Sequence, residues 1–229
     1  MESICASLDS LLQSHASNLT QYDIESVLSA LMLALSPRGP SFVASQPDSV
    51  YIALVRLLST VLSLHRHRIR GRYHLTTELL QALLCCLFTS PPVRRKAHNS
   101  VSSRPPWLTG SVLSVTSARA FARVLHVFCE PPVSTVRTHG TELIDSQRAK
   151  EKRCVSKAIG PVLDIYARQL LEAKIAVDIR KEVGVGMEAV LGVLGREGLQ
   201  KIFAGMSTEG RAVVRSLWAA YSRGGRERV

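Results

Sequence analysis

The stretch DSVYIALVRLLSTVLSLHRHRIRGRYHLTTELLQALLCCLF, Asp48 to Phe88, decides the fold. Its first half is apolar on nearly every side: Val50, Leu54, Leu57, Val61 and Leu64 fall on one helical face, and Ile52, Val55, Leu58 and Leu62 on the others. A helix of that kind belongs in the middle of a bundle. Asp48 stands where it can cap this helix. At the other end His65-Arg66-His67-Arg68 supplies cations that suit the negative end of the helix dipole. Gly71 provides a break, and Tyr73 to Phe88 returns as a second helix.

The rest of the chain repeats the pattern. Ile4, Leu8, Leu11 and Leu12 recur at helical spacing, and Asp23 to Ser36 follows until Pro37 to Pro40 ends it. Ser111 to Cys129 is expected as a helix stopped by Glu130-Pro131-Pro132. Ser146 to about Lys174 is expected as one long helix, bent at Gly160-Pro161. Val177 to Leu194, a short helix at Leu199 to Ala204, and a last helix from Ser207 to Gly224-Gly225 complete the set. That last helix carries Val214, Leu217, Trp218 and Tyr221 on one stripe, where core packing of the two aromatics is expected. No strand or hairpin signal interrupts them. Apolar residues are 46% of the chain and aromatics only 5%, a core of Leu, Val and Ala that suits helices better than sheets. The expected fold is all-α, about eight or nine helices in irregular stacked hairpins, an α-solenoid of the HEAT or armadillo kind. Residues 1–229 are read as one all-α domain. Residues 89–107, rich in Pro and Ser, read as a flexible loop or a boundary between two helical halves, 1–88 and 108–229.

No window reads as a membrane span, and Glu2 and Asp9 give the wrong charge pattern for a signal peptide. Five cysteines without CxxC spacing imply buried thiols. Gly184-Val185-Gly186-Met187-Glu188-Ala189 matches a relaxed dinucleotide-binding pattern, but the charged segment before it is helical. The glycines are therefore read as sites of close helix packing. His65, His67, His74 and the Cys85-Cys86 pair, or His126 with Cys129, do not make a metal set. No metal, cofactor, small-molecule substrate or catalytic constellation is expected.

The charge is informative. The chain carries +11 in all, but residues 1–64 carry −3, whereas 65–104 hold eight basic groups against Glu78 alone, a balance of +7. Such a block is either the electrostatic footprint of an anionic partner or a solvated helix end. A second group, Arg148, Lys150, Lys152, Arg153 and Lys157, crowds the first turns of the long helix, where cations oppose the dipole. The only aromatic interleaved with basic residues is Tyr73, between Arg72 and His74.

Three segments together carry a family resemblance: HRIRGRYHLTTELLQALLCCLF, ARAFARVLHVFCEPPVS and GRAVVRSLWAAYSRGG, with the Ile165-Tyr166 helix and the Ile179-Arg180 stretch between the last two. From about residue 60 to 225 the chain resembles the C-terminal domain of fungal nucleolar pre-ribosomal RNA processing proteins of the Urb/Npa type. The first sixty residues match only as generic helix pairs. The resemblance implies a non-enzymatic role in ribosome biogenesis, in early large-subunit rRNA processing in the nucleolus of the nucleus. The partners it implies are other pre-ribosomal assembly factors, with pre-rRNA a further candidate.

On this reading the chain is a helical scaffold. The phosphate contacts expected of it are Arg66, Arg68, Arg70, Arg72, Arg94, Arg95 and Lys96, then Lys150, Lys152 and Arg153, which would position RNA without reading its sequence. The alternative is a helical adaptor that binds proteins alone.

Overall fold

The structure, a computed structural model, describes residues 1–42, 46–89, 104–131 and 144–226. Among them are nine α-helices: α1 (Glu2–Ser14), α2 (Gln21–Leu35), α3 (Pro47–Leu64), α4 (Tyr73–Leu87), α5 (Val115–Cys129), α6 (Ile144–Ala158), α7 (Gly160–Glu172), α8 (Val177–Phe203) and α9 (Thr208–Arg226). Short 3-10 turns lie at Arg66–Ile69 and Pro106–Leu108. The described residues hold no strand, only an isolated bridge between Thr89 and Lys174. The fold is all-α.

Neighbour relations order the helices into two rows. Helix α1 packs on α3, α3 on α5 and α5 on α8; in the other row α2 packs on α4, α4 on α7 and α7 on α9. Helix α6 belongs to neither row and rests on α8, α4, α5 and α7. Helix α3 is by length and composition able to cross a membrane, but Val50, Tyr51, Leu54, Val55, Leu57, Leu58, Val61 and Leu62 are buried in the bundle.

Local chemistry sets the ends. Thr20 and Asp23 form a reciprocal capping box on α2, with the Asp23 carboxylate accepting from Thr20 N–H at 2.7 Å. Asp48, expected to cap its own helix, serves another. Its Oδ1 accepts from Ser114 N–H at 2.8 Å and from the Ser117 hydroxyl at 2.6 Å, at the start of α5. Pro47, at the first position of α3, needs no hydrogen-bond partner there. Trp107, at the end of the stretch expected as loop or boundary, is buried and donates to Ala34 O at 2.8 Å. Arg104 donates to Cys86 O at 2.8 Å.

Three boundaries differ from expectation. The long helix is not bent but broken at Ile159, into α6 and α7, since Pro161 supplies no N–H to carry the ladder across. Helix α8 runs on past Leu194, with a kink at Gly195, whose φ of 58° is at ease only in glycine. Helix α9 continues through Gly224-Gly225 to Arg226. Its Trp218 and Tyr221 rings, 5.5 Å apart, are half-buried against the core rather than inside it.

Candidate nucleic-acid interface

The turn between α3 and α4 places its four arginines in four directions. Arg66 is 2% exposed. Its guanidinium donates to Phe128 O at 3.2 Å and to Val127 O, and lies 5.8 Å from the centre of the Phe128 ring. The carbonyls at the end of α5 lack intrahelical donors, and Arg66 supplies them. Arg68 donates to Ala16 O and Ser17 O, each at 3.2 Å, tying down the segment after α1. Arg70 pairs with Glu151 at 3.0 Å and donates to Gln147 Oε1 at 3.1 Å, both on α6. Arg72 pairs with Glu25 of α2 at 3.0 Å.

These contacts make the turn a hub, buried at Arg66 and exposed at Arg70 and Arg72. Arg66 has no surface left to offer a phosphate, and Arg68, Arg70 and Arg72 each hold a different element. Tyr73, the one aromatic interleaved with basic residues, is buried: its hydroxyl donates to Glu151 Oε2 and its ring meets Phe128 edge-on. Arg94, Arg95 and Lys96 lie outside the described residues.

The second basic group is brought together. Helix α6 turns Gln147, Glu151 and Val155 inward, all buried, at the i, i+4 spacing of one face. Lys150, Arg153 and Lys157 then point outward, and all three are exposed. Because α6 ends at Ala158, these cations lie in its middle and last turns. Lys157 in the last turn favours the dipole, whereas the longer helix read from the sequence placed the group at an opposing start. Lys152 and Arg148 both reach Glu130, at 2.6 and 3.5 Å. Lys150, Arg153 and Lys157 have no ion-pair partner among the described residues.

Lys152, Arg153, Ser156 and Lys157 form one wall of a hollow of about 350 Å³. Gly192, Val193 and Lys201 of α8 form the other, with Glu130 at the rim. Lys201 was not among the cations singled out from the sequence. Nothing local in the sequence marks it, since it joins Lys157 at the hollow only in three dimensions. Four cations against one carboxylate make a concave site able to hold phosphate groups.

Burial pushes the Cys86 and Cys129 thiols up to about 12. His65 Nε2 lies 3.0 Å from Leu12 O. No group of three or more His, Cys, Asp or Glu among the described residues could hold a metal ion.

A sequence model described as the Urb2/Npa2 family matches residues 2–228. The match takes in the first sixty residues, which the motifs had left as generic helix pairs. No curated protein and no solved structure matches the chain.

Proposed function

The chain belongs to the Urb2/Npa2 family, a ribosome biogenesis family, and from that premise we propose that it is a non-enzymatic scaffold of early large-subunit assembly in the nucleolus. The two rows of helices hold assembly factors together, and the outer face of α6 grips pre-rRNA phosphates.

One observation carries the RNA contact: Lys152, Arg153 and Lys157 of α6 converge with Lys201 of α8 around a single hollow. Phosphate contacts of this kind position an RNA without selecting its sequence. A second surface suits a protein partner. The groove among α1, α2 and α3 is lined by Met1, Ile4, Leu8, Val27 and Leu33, and Ile4 and Leu33 are each 59% exposed. An apolar helix face from a partner would cover them.

The test is fluorescence anisotropy with a structured RNA and a similarly charged non-nucleic polyanion, at low and physiological salt. Reversing Lys152, Lys157 and Lys201 to Glu is expected to flatten the salt dependence by roughly 0.7–0.9 log units per decade for each lost contact. Reversing Arg72 is expected to leave it unchanged. An unaltered slope in the triple variant, or equal affinity for RNA and polyanion, would move the role to protein contacts alone.

A further inference from the structure

The cationic hollow opens beside a second one, of about 540 Å³, and the two share Ser156, Lys157 and Lys201. Their chemistry differs. The second is floored by Pro161, Leu194, Ile202 and Met206, with bare backbone at Gly160, Gly198 and Gly205. Its remaining lining includes two carboxylates, Asp164 and Glu197. The volume falls within the roughly 300–1,000 Å³ of small-ligand sites.

We propose that this second hollow receives one unpaired base of the RNA whose phosphate lies against Lys152, Arg153, Lys157 and Lys201. The proposal rests on the phosphate-binding reading of that cationic face. Carboxylates repel phosphate, so a surface that gripped backbone alone would gain nothing from Asp164 and Glu197. A base offers what they can use, since carboxylates accept from exocyclic amino groups such as cytosine N4. Asp164 is occupied by Arg168, one helical turn along α7. Glu197 is exposed and has no ion-pair partner among the described residues, so Glu197 is the group left to read the base. Lys157 and Lys201, on the boundary, offset its charge and hold the adjoining phosphate. Pro161, Ile202 and Met206 present apolar surface to the ring.

The chemistry selects the ligand further. A base inside a duplex is stacked and paired and cannot enter, whereas an unpaired base can be splayed out. Uracil presents a carbonyl oxygen where cytosine presents an amine, and a carboxylate repels it. The site is therefore for single-stranded RNA, with cytosine, and by the same amine adenine, favoured over uracil.

Anisotropy of the full chain with oligo(C), oligo(U) and a duplex of matched length, at neutral pH and physiological salt, tests this. Oligo(C) is expected to bind about fivefold or more tighter than oligo(U), and tighter than the duplex. Gly205→Leu fills the hollow without touching a charge, and a Cβ there meets nothing nearer than Ile202 O at 3.9 Å. It should abolish the preference for oligo(C) and leave the salt slope as it was. Glu197→Gln, on the surface, supplies an amide donor and should shift the preference toward oligo(U). Equal binding of all three RNAs with a salt slope of several contacts would overturn the base pocket while leaving the phosphate face standing. Preferences unchanged in both variants would do the same. No RNA binding at low salt would overturn both.

Discussion

The guanidinium of Arg66 closes the end of α5 by donating to the carbonyl of Phe128 while lying against that residue's own ring. The contact joins the turn after α3 to the last turn of α5, two helices that already pack along one row. Arg66→Met keeps the volume but leaves the Val127 and Phe128 carbonyls without their donor. It is expected to cost about 3 kcal/mol in urea unfolding, because hydrogen bonds from a charged donor are lost in a buried place. Arg72→Ala removes an exposed pair with Glu25 and is expected to cost less than about 1 kcal/mol. Equal losses in the two variants would contradict the division of labour among these arginines.

Asp48 links the start of α3 to the start of α5. Burial raises the Asp48 pKa, but the donors on Ser117 and Ser114 outweigh it, and the carboxyl is held below its ordinary value. A carboxylate with a depressed folded pKa stabilises the protein above its unfolded pKa, and that stability is lost as pH falls through the folded value. Asp48→Asn is expected to cost about 1 kcal/mol at neutral pH, the size of a lost helix cap. The difference between variant and parent should shrink as pH drops through the carboxylate range, measured by denaturant midpoints at stepped pH.

Gly184 and Gly186 lie two residues apart on α8 and should respond oppositely to alanine. A Cβ at Gly186 would sit 2.9 Å from the Ala122 Cα of α5, so the two helices must separate. Overpacking of this kind costs roughly 1–3 kcal/mol. At Gly184 a Cβ meets nothing within 4 Å. Alanine there is expected to stabilise by roughly 0.5–1 kcal/mol through helix propensity. Thermal melts of the two variants, moving in opposite directions, check the pair.

Thiol reactivity should follow burial. Cys86 and Cys129 are buried, with pKa values pushed up to about 12, while Cys154 is half-buried on α6. The thiolate is the reacting species. Native labelling with iodoacetamide at mildly alkaline pH, followed by peptide mass spectrometry, is expected to modify Cys154 well before Cys86 or Cys129.

The helices were legible because apolar periodicity is local: the run from Val50 to Leu64 needs no partner to be recognised as a core helix. The packing role of the glycines at 184 and 186 was legible as a type, but not which of the two does the packing. That depends on where Ala122 of another helix arrives. The arginines show the same limit. In the run from Arg66 to Arg72 they alternate with other residues and look equivalent, yet the end of α5 takes Arg66 inside and Glu25 draws Arg72 to α2. Lys201 carried no local mark either, since it becomes a neighbour of Lys157 only in three dimensions. Asp48 was read as the cap of its own helix, and its true partners, Ser114 and Ser117, were not visible because they are distant in sequence.

Helix α6 stands outside both rows, anchored by Gln147, Glu151 and Val155, while its opposite side carries Lys150, Arg153 and Lys157. On the proposed phosphate-binding reading, recognition is thereby uncoupled from architecture. Exchanging the outward residues of this one helix would, on that reading, retune what the protein grips without disturbing the register of the helices beneath. The frame would then serve as a chassis, and α6 as its interchangeable jaw.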